Sequence, residues 1–289
     1  MQFRRSWAFA LAALALSLVI AAGCGAPAAD RAKVDNLVVN VIDVGQGDAI
    51  LIRTPGQVTL IDSGDVPARD KLVAYIKKQG VQTIDTFIVT HPHADHIGGA
   101  VAILDNFTVK RVYDSGQTTT SALYRQYLTA VQKKSIPFAL LADGKEIDIG
   151  GGTLKILNPP VPLFASDAGL NNNSIVARLA YGGFALLLAA DAEQEAEAAI
   201  VKKYGAGLKS QVLKSGHHGS RTSSSPAFLK AVAPEAAVIP VGANNEYHHP
   251  HPSLMKRYGD QKLKIYRTDT DGTVTIASDG KTYTITKEK

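Results

Sequence analysis

Three histidines and an aspartate fall within the six positions from His91 to His96, in the stretch "THPHADHIGG", although the chain has only eight histidines. Imidazole nitrogens and carboxylate oxygens are the usual donors for zinc and similar divalent ions. In extended backbone, residues two apart face the same side. His91 and His93 are therefore placed to share one ion, while Asp95 and His96, past a turn, reach a second. Gly98 and Gly99 let a helix start close behind. Other residues of the same chemistry lie far along the chain. Asp191 ends the apolar run "FALLLAAD", His217 and His218 follow "LKSG", and "YHHPHPS" carries His248, His249 and His251.

Elements of mixed type must bring these residues together. "LVVNVIDV", "AILIRT" and "VTLID" read as strands, the first two joined by the tight turn "GQGD". Arg69 to Gln79 reads as an amphipathic helix, and "IDTFIVT" as a buried strand that delivers the histidine cluster. Ser121 to Lys134, Glu193 to Tyr204, Pro226 to Val232 and Ser253 to Tyr258 read as helices. "IVARLAY" and "FALLLAAD" form a hairpin across Gly182-Gly183, "SQVLKSG" and "AAVIPV" are strands, and "TVTIAS" with "KTYTIT" closes the chain as a hairpin over Asp279-Gly280. Hairpins early and late, with helices between, indicate an α/β sandwich and not a doubly wound sheet. No linker or short repeat interrupts residues 37–289, so one domain is expected there.

The first residues are of another kind. Arg4 and Arg5 precede an uncharged apolar run from Trp7 to Ala22, which ends in Gly23-Cys24. That pattern describes a secretory signal over residues 1–23, with an uncleaved anchor as the alternative. Cys24 is the single cysteine, so no internal disulfide can form. Its surroundings resemble a bacterial lipobox, with Ala21 where leucine is usual, which implies lipidation at Cys24 and a flexible tether over residues 24–36. The net charge is +5. From Cys24 onward 29 basic residues stand against 26 acidic ones, a mild excess with no dense cluster to mark a nucleic-acid track.

"HPHADH" matches the HxHxDH motif of the metallo-β-lactamase superfamily. With "NVIDVGQGDAILI", "TLIDSGD", "NNNSIVARLAYGGFALLLAADAE" and "LKSGHHGS", the chain resembles the metallo-hydrolase domain of ComEC-type DNA-uptake competence proteins over nearly its whole length after the tether. The resemblance implies an αββα sandwich with two divalent metal ions at one edge, zinc foremost and manganese as the alternative. It assigns His91 and His93 to the first ion, Asp95 and His96 to the second, and Asp191 as a bridge. On residue chemistry alone, Asp191 is equally a helix N-cap. His217, which follows the glycine turn, is favoured over His218 to complete the second site, leaving His218 to face the substrate. Ser220 follows the same pair. Asp62 is expected to orient a ligand from behind. Asp43 and the "GQGD" turn are candidates for the pocket floor, with Asp48 equally an ordinary turn residue. His249 matches the family's "HPHP" histidine, a candidate to bind phosphate or protonate a leaving group.

One departure stands out: many members have a third histidine for the first ion, and none occurs between Ile97 and Gly216. "NNNS" takes that place, where Asn171 or Asn172 could offer an amide oxygen or simply form a polar turn. The expectation is an exported, lipid-anchored hydrolase in which Asp95 positions a metal-activated water against a phosphodiester, either DNA or an envelope ester. A phosphorylcholine-type esterase, a β-lactam hydrolase and a non-catalytic binding lipoprotein are the alternatives. The chain has no room for the many apolar spans of an uptake channel, so a stand-alone enzyme is expected.

Overall fold

The computed structural model describes residues 34–289. The expected signal, Cys24 and most of the tether fall outside the described residues. Among those described, no helix is long and apolar enough to cross a membrane.

Two mixed sheets stack face to face. The first runs, edge to edge, Tyr283–Lys287, Val274–Ser278, Leu37–Val41, Ile50–Arg53, Val58–Ile61, Thr86–Val89, Val112–Asp114 and Phe138–Leu140. The second runs Lys264–Arg267, Ala236–Ile239, Val212–Lys214, Phe184–Leu188, Val176–Tyr181, Thr153–Asn158 and Glu146–Asp148. Both follow one plan, an antiparallel hairpin feeding a parallel run. Val58–Ile61 pairs antiparallel with Ile50–Arg53 and parallel with Thr86–Val89. Phe184–Leu188 pairs antiparallel with Val176–Tyr181 and parallel with Val212–Lys214. Parallel neighbours need a crossover, and helices Arg69–Lys78 and Gln194–Tyr204 provide one in each half.

Side chains alternate between three apolar layers, because successive residues of a strand face opposite sides. Ile50, Ile52, Ile61 and Ile88 point inward to meet Leu179, Leu186, Leu188 and Val238 of the opposite sheet. Leu51, Leu60, Phe87 and Val89 point outward, under Leu72 and Ile76 of one helix and Tyr127 of Ala122–Lys133. On the far side Leu187, Leu213 and Ile239 meet Ile200, Phe228, Leu254 and Tyr258. Three layers between helix, sheet, sheet and helix make the αββα sandwich, and they explain why these strands read as continuous apolar runs.

The helices start where capping chemistry allows. Ser121 caps Ala122–Lys133 by accepting from the Tyr124 N–H, and Ser225 caps Pro226–Val232 by accepting from that of Phe228. Five strands of the two large sheets escape the sequence pattern: Val112–Asp114, Phe138–Leu140, Glu146–Asp148, Thr153–Asn158 and Lys264–Arg267. The first three have three residues each, too few for a period of two to show, and Phe138–Leu140 is an exposed edge.

Asp114, buried at the end of its strand, accepts from the Gly116 N–H at 2.7 Å and the Tyr127 hydroxyl at 3.3 Å. Burial outweighs both bonds and raises its pKa to about 6. A carboxyl raised in the fold favours folding below its unfolded value, and that contribution is lost as pH rises through the folded one. Asp114→Asn should therefore stabilise the fold at pH 7 by about 1–3 kcal/mol. In urea melts the gain should shrink steadily between pH 6 and 4; a gain unchanged with pH would refute the assignment.

Candidate metal centre

The carboxyl ends of the parallel strands converge on one edge of the sandwich. After Thr86–Val89 the chain passes through Thr90 to His93 into the short helix Ala94–Ile97, with His93 at its N-cap. That helix begins before Gly98, earlier than the glycines suggest, and carries Asp95 and His96 in its single turn. Val58–Ile61 ends at Asp62, Phe184–Leu188 leads to Asp191, and Val212–Lys214 leads to His217 and His218.

Two donor sets meet on one aspartate, one from Asp95, His96, Asp191 and His218, the other from His91, His93 and Asp191, and among the described residues a third grouping of Asp48, Asp62 and His96 adjoins them. Within each, the donor atoms lie no more than 4.8 Å apart, and Asp191 belongs to the first two. Its Oδ2 lies 3.3 Å from His96 Nε2, 3.5 Å from His218 Nε2 and 3.7 Å from His91 Nε2. His91 Nε2 lies 3.0 Å from His93 Nδ1, and His218 Nε2 lies 3.1 Å from Asp95 Oδ2. Asp191 is free for this role because Glu193, and not Asp191, occupies the N-cap of helix Gln194–Tyr204.

The back of each ring is held. Asp62 accepts from the Thr90 N–H at 2.8 Å and the Thr90 hydroxyl at 2.6 Å, and its Oδ2 sits 2.8 Å from His96 Nδ1. His96 therefore presents Nε2 to the centre. His218 Nδ1 lies 3.0 Å from the Pro240 carbonyl and 3.4 Å from Asp48 Oδ1. Asp48 in turn is paired with the fully buried ammonium of Lys214, which also donates to the Ala190 carbonyl at 2.9 Å. Lys214 was hidden from sequence reasoning inside a strand; a lysine amid "QVLKS" is the signal that could have exposed it.

The charges agree with a cation site. Burial disfavours charge on His96, yet Asp191, Asp95 and Asp62 outweigh it and hold the ring well above its ordinary value. His218 is likewise pushed up to about 10 against burial, chiefly by Asp191. Burial also opposes the Asp191 carboxylate, but His218 and His96 keep it well below the usual range. His91 goes the other way, lowered by burial and by His96 beside it. His96 Nε2, His218 Nε2 and Asp191 Oδ1 are buried without a hydrogen-bond partner. Buried polar atoms are almost always paired, so convergent orphans of nitrogen and carboxylate oxygen fit divalent metal ions, whose binding would displace the histidine protons.

Several expected roles move. His218, not His217, lies in the second donor set, because both residues adopt left-handed backbone (φ 46° and 51°) and the loop turns His218 inward. His217 stands at the rim, its Nδ1 3.1 Å from Glu193 Oε1. Asn172 is not directed at a metal: its Oδ1 accepts from the Glu193 and Ala196 N–H groups at the start of the helix. Asn171 donates to Glu193 at 3.0 Å and keeps its Oδ1 buried and unpartnered. Ser220 bonds Thr222 within its own turn. Asp43 faces Lys71 at 2.9 Å, away from the pocket floor. His251 caps helix Pro252–Asp260.

A cavity of about 270 Å³ opens over the centre, lined by Asp95, Asp191, His217, His218, Tyr247 and His249 among others. Tyr247, more than half exposed, stacks on His249 at 5.8 Å between ring centroids. Burial, with His217 and His218 nearby, lowers His249 to about 4, so its ring is neutral at pH 7.

Comparison with known proteins agrees with this geometry. The metallo-beta-lactamase superfamily model matches residues 42–243. The chain is 30% identical over 254 residues to ComE operon protein 3 of Bacillus subtilis, covering 82% of this chain and 32% of the relative. It is 34% identical over 235 residues to Competence protein ComA of Neisseria gonorrhoeae, covering 81% of this chain and 31% of the relative. The chain thus spans about a third of the length of these relatives. Among solved structures, the metallo-beta-lactamase fold protein YhfI of Bacillus subtilis superposes with a TM-score of 0.57 at 13% identity, covering 83% of this chain and all of that one. A motif-bearing loop, two donor sets joined by one aspartate and a family match over most of the chain lead to one assignment: the protein belongs to the metallo-β-lactamase superfamily.

Proposed function

We propose that the protein is a phosphodiesterase that cleaves nucleic acid with two divalent ions, zinc or manganese. The observation that carries this reading is the pair of donor sets meeting on Asp191 beneath an open cavity. Ions held there would supply an activated water and offset charge on a phosphoryl group. The chain's own residues do the rest. His91 and His93 would hold one ion, Asp95, His96 and His218 the other. Asp95, at the cavity wall, orients the attacking water. His249, neutral at pH 7, would donate an N–H hydrogen bond to a phosphate oxygen and would not itself protonate the leaving group.

Similarity to competence proteins over four-fifths of the chain supports a nucleic-acid substrate. So does the cavity lining, where Tyr247 is the one tyrosine, tryptophan or phenylalanine. A single ring suits stacking on a base, whereas choline recognition uses a cage of several. The N-terminal sequence adds an envelope location through lipid at Cys24, which predicts that Cys24→Ser releases the protein from the membrane fraction.

The deciding experiment offers the metal-loaded protein linear DNA, bis-p-nitrophenyl phosphate and p-nitrophenyl phosphorylcholine. DNA cleavage is expected, with slower turnover of the small diester. Turnover of the phosphorylcholine ester alone would make it an envelope esterase. Silence on all three with both metals bound would sink the phosphodiesterase reading and return lactam hydrolysis and simple binding to consideration.

A further inference from the structure

We propose that His217 completes the first metal site, supplying from the far half of the fold the third imidazole that the sequence lacks between Ile97 and Gly216. This rests on the two-metal reading of the centre and not on the identity of the substrate.

His91, His93 and Asp191 give the first ion three donors. Zinc is most often bound by four ligands and can expand to five, so a fourth protein donor can join this set while a position remains for water. Two neighbours compete for the fourth place. Asn171 has a buried, unpartnered Oδ1, but its amide is tied to Glu193. His217 brings the better donor. Its Nε2 lies 3.9 Å from Asp191 Oδ2, the oxygen that approaches His91. Neighbouring ligand atoms around a tetrahedral zinc are about 3.3–3.5 Å apart, given bonds of about 2.0–2.2 Å. His217 falls outside the set of donors that all lie within 4.8 Å of one another, so its ring must swing inward to bind, and the side chain is 24% exposed at the rim, where it has room to do so.

Glu193 stands behind the ring, its Oε1 3.1 Å from Nδ1 though off the line of a hydrogen bond. A carboxylate behind an imidazole is the usual support of a metal-binding histidine, fixing the tautomer and aiming the other nitrogen at the ion. The loop explains how adjacent residues serve different ions. His217 and His218 are both left-handed, and their rings diverge by 69° with centroids 6.1 Å apart. His218 enters the set with Asp95 and His96, while His217 turns toward Glu193 and Asp191.

The test is metal binding by the full chain, stripped and titrated with Co(II) and Zn(II), followed by calorimetry, metal analysis and the visible spectrum of the cobalt form. The native chain should take up two equivalents. His217→Ala should hold one as tightly as before and bind the other at least tenfold more weakly, with altered cobalt bands. Glu193→Gln should weaken the same equivalent by less, and circular dichroism should show both variants folded. Two equivalents bound by His217→Ala with native affinity would overturn the proposal, as would loss of that equivalent in Asn171→Ala instead. Uptake of a single ion by the native chain would remove the two-metal reading and this inference together. Because no substrate is involved, failure of the phosphodiesterase reading would leave a positive result standing.

Discussion

Replacing Asp191 with alanine should lower phosphodiester cleavage by about 10³-fold or more, since metal-borne charge stabilisation is worth several kcal/mol and each 1.4 kcal/mol is tenfold. Asp191 is the one residue shared by both donor sets, so its loss reaches both. Removing a supporting residue should cost less. Asp62→Ala leaves every ligand in place but frees the back of His96 and the Thr90 N–H and hydroxyl, for an expected loss of about 10–100-fold. Activity and bound metal should fall in the same order across the two variants. Full activity in Asp191→Ala, with the fold intact, would mean that the chemistry lies elsewhere.

The second large effect lies beneath the centre. Lys214 and Asp48 are both buried, and each is the other's partner. Asp48→Asn strands an ammonium in the interior, which should destabilise the protein by about 3–5 kcal/mol. Lys214→Met leaves the Asp48 carboxylate without its cation and should also be costly. The double variant Asp48→Asn with Lys214→Met removes both charges while nearly keeping volume, and should recover most of the loss. A double-mutant cycle in urea should then give a coupling energy of about 2 kcal/mol or more. Additive losses would show that the two groups stabilise the fold separately. Asp48 also touches the back of His218. The double variant should therefore fold well yet hold the second ion less tightly, separating stability from positioning.

Much of this was readable from local pattern. Helices such as Ala122–Lys133 and Pro226–Val232 carry their caps in sequence, and the hairpin over Gly182-Gly183 is closed by its own turn. His91, His93, Asp95 and His96 are legible because one motif holds all four. What sequence could not reach depends on backbone conformation or on distant partners. The His217 and His218 assignment turns on two successive left-handed residues, a geometry that neither strand nor helix periodicity encodes. The roles of Asn171 and Asn172 divide because one helix start lies beside them and consumes the oxygen of Asn172. The short strands of the first sheet's far edge owe their pairing to neighbours.

The loops beneath the metal ligands meet backbone to backbone. The Asp48 N–H donates to the Asp95 carbonyl at 3.1 Å, Gly64 to Asp48 at 2.7 Å, and Ser63 to His96 at 2.7 Å. A Cβ on Gly47 would stand 2.2 Å from the Asp95 carbonyl oxygen, and one on Gly98 2.2 Å from the Val66 nitrogen. Such joints leave no side chain to trim and no slack to absorb an added atom. The cavity mouth is built otherwise, from loop side chains such as Tyr247 and His249. For protein engineering this divides the molecule into a chassis and an exchangeable front. Libraries aimed at new substrates should randomise Glu246 to His248, keep His249 and the Asn245 that anchors it, and leave the turn from Gly45 to Asp48 untouched, since a clash there would disturb the very loop that carries Asp95.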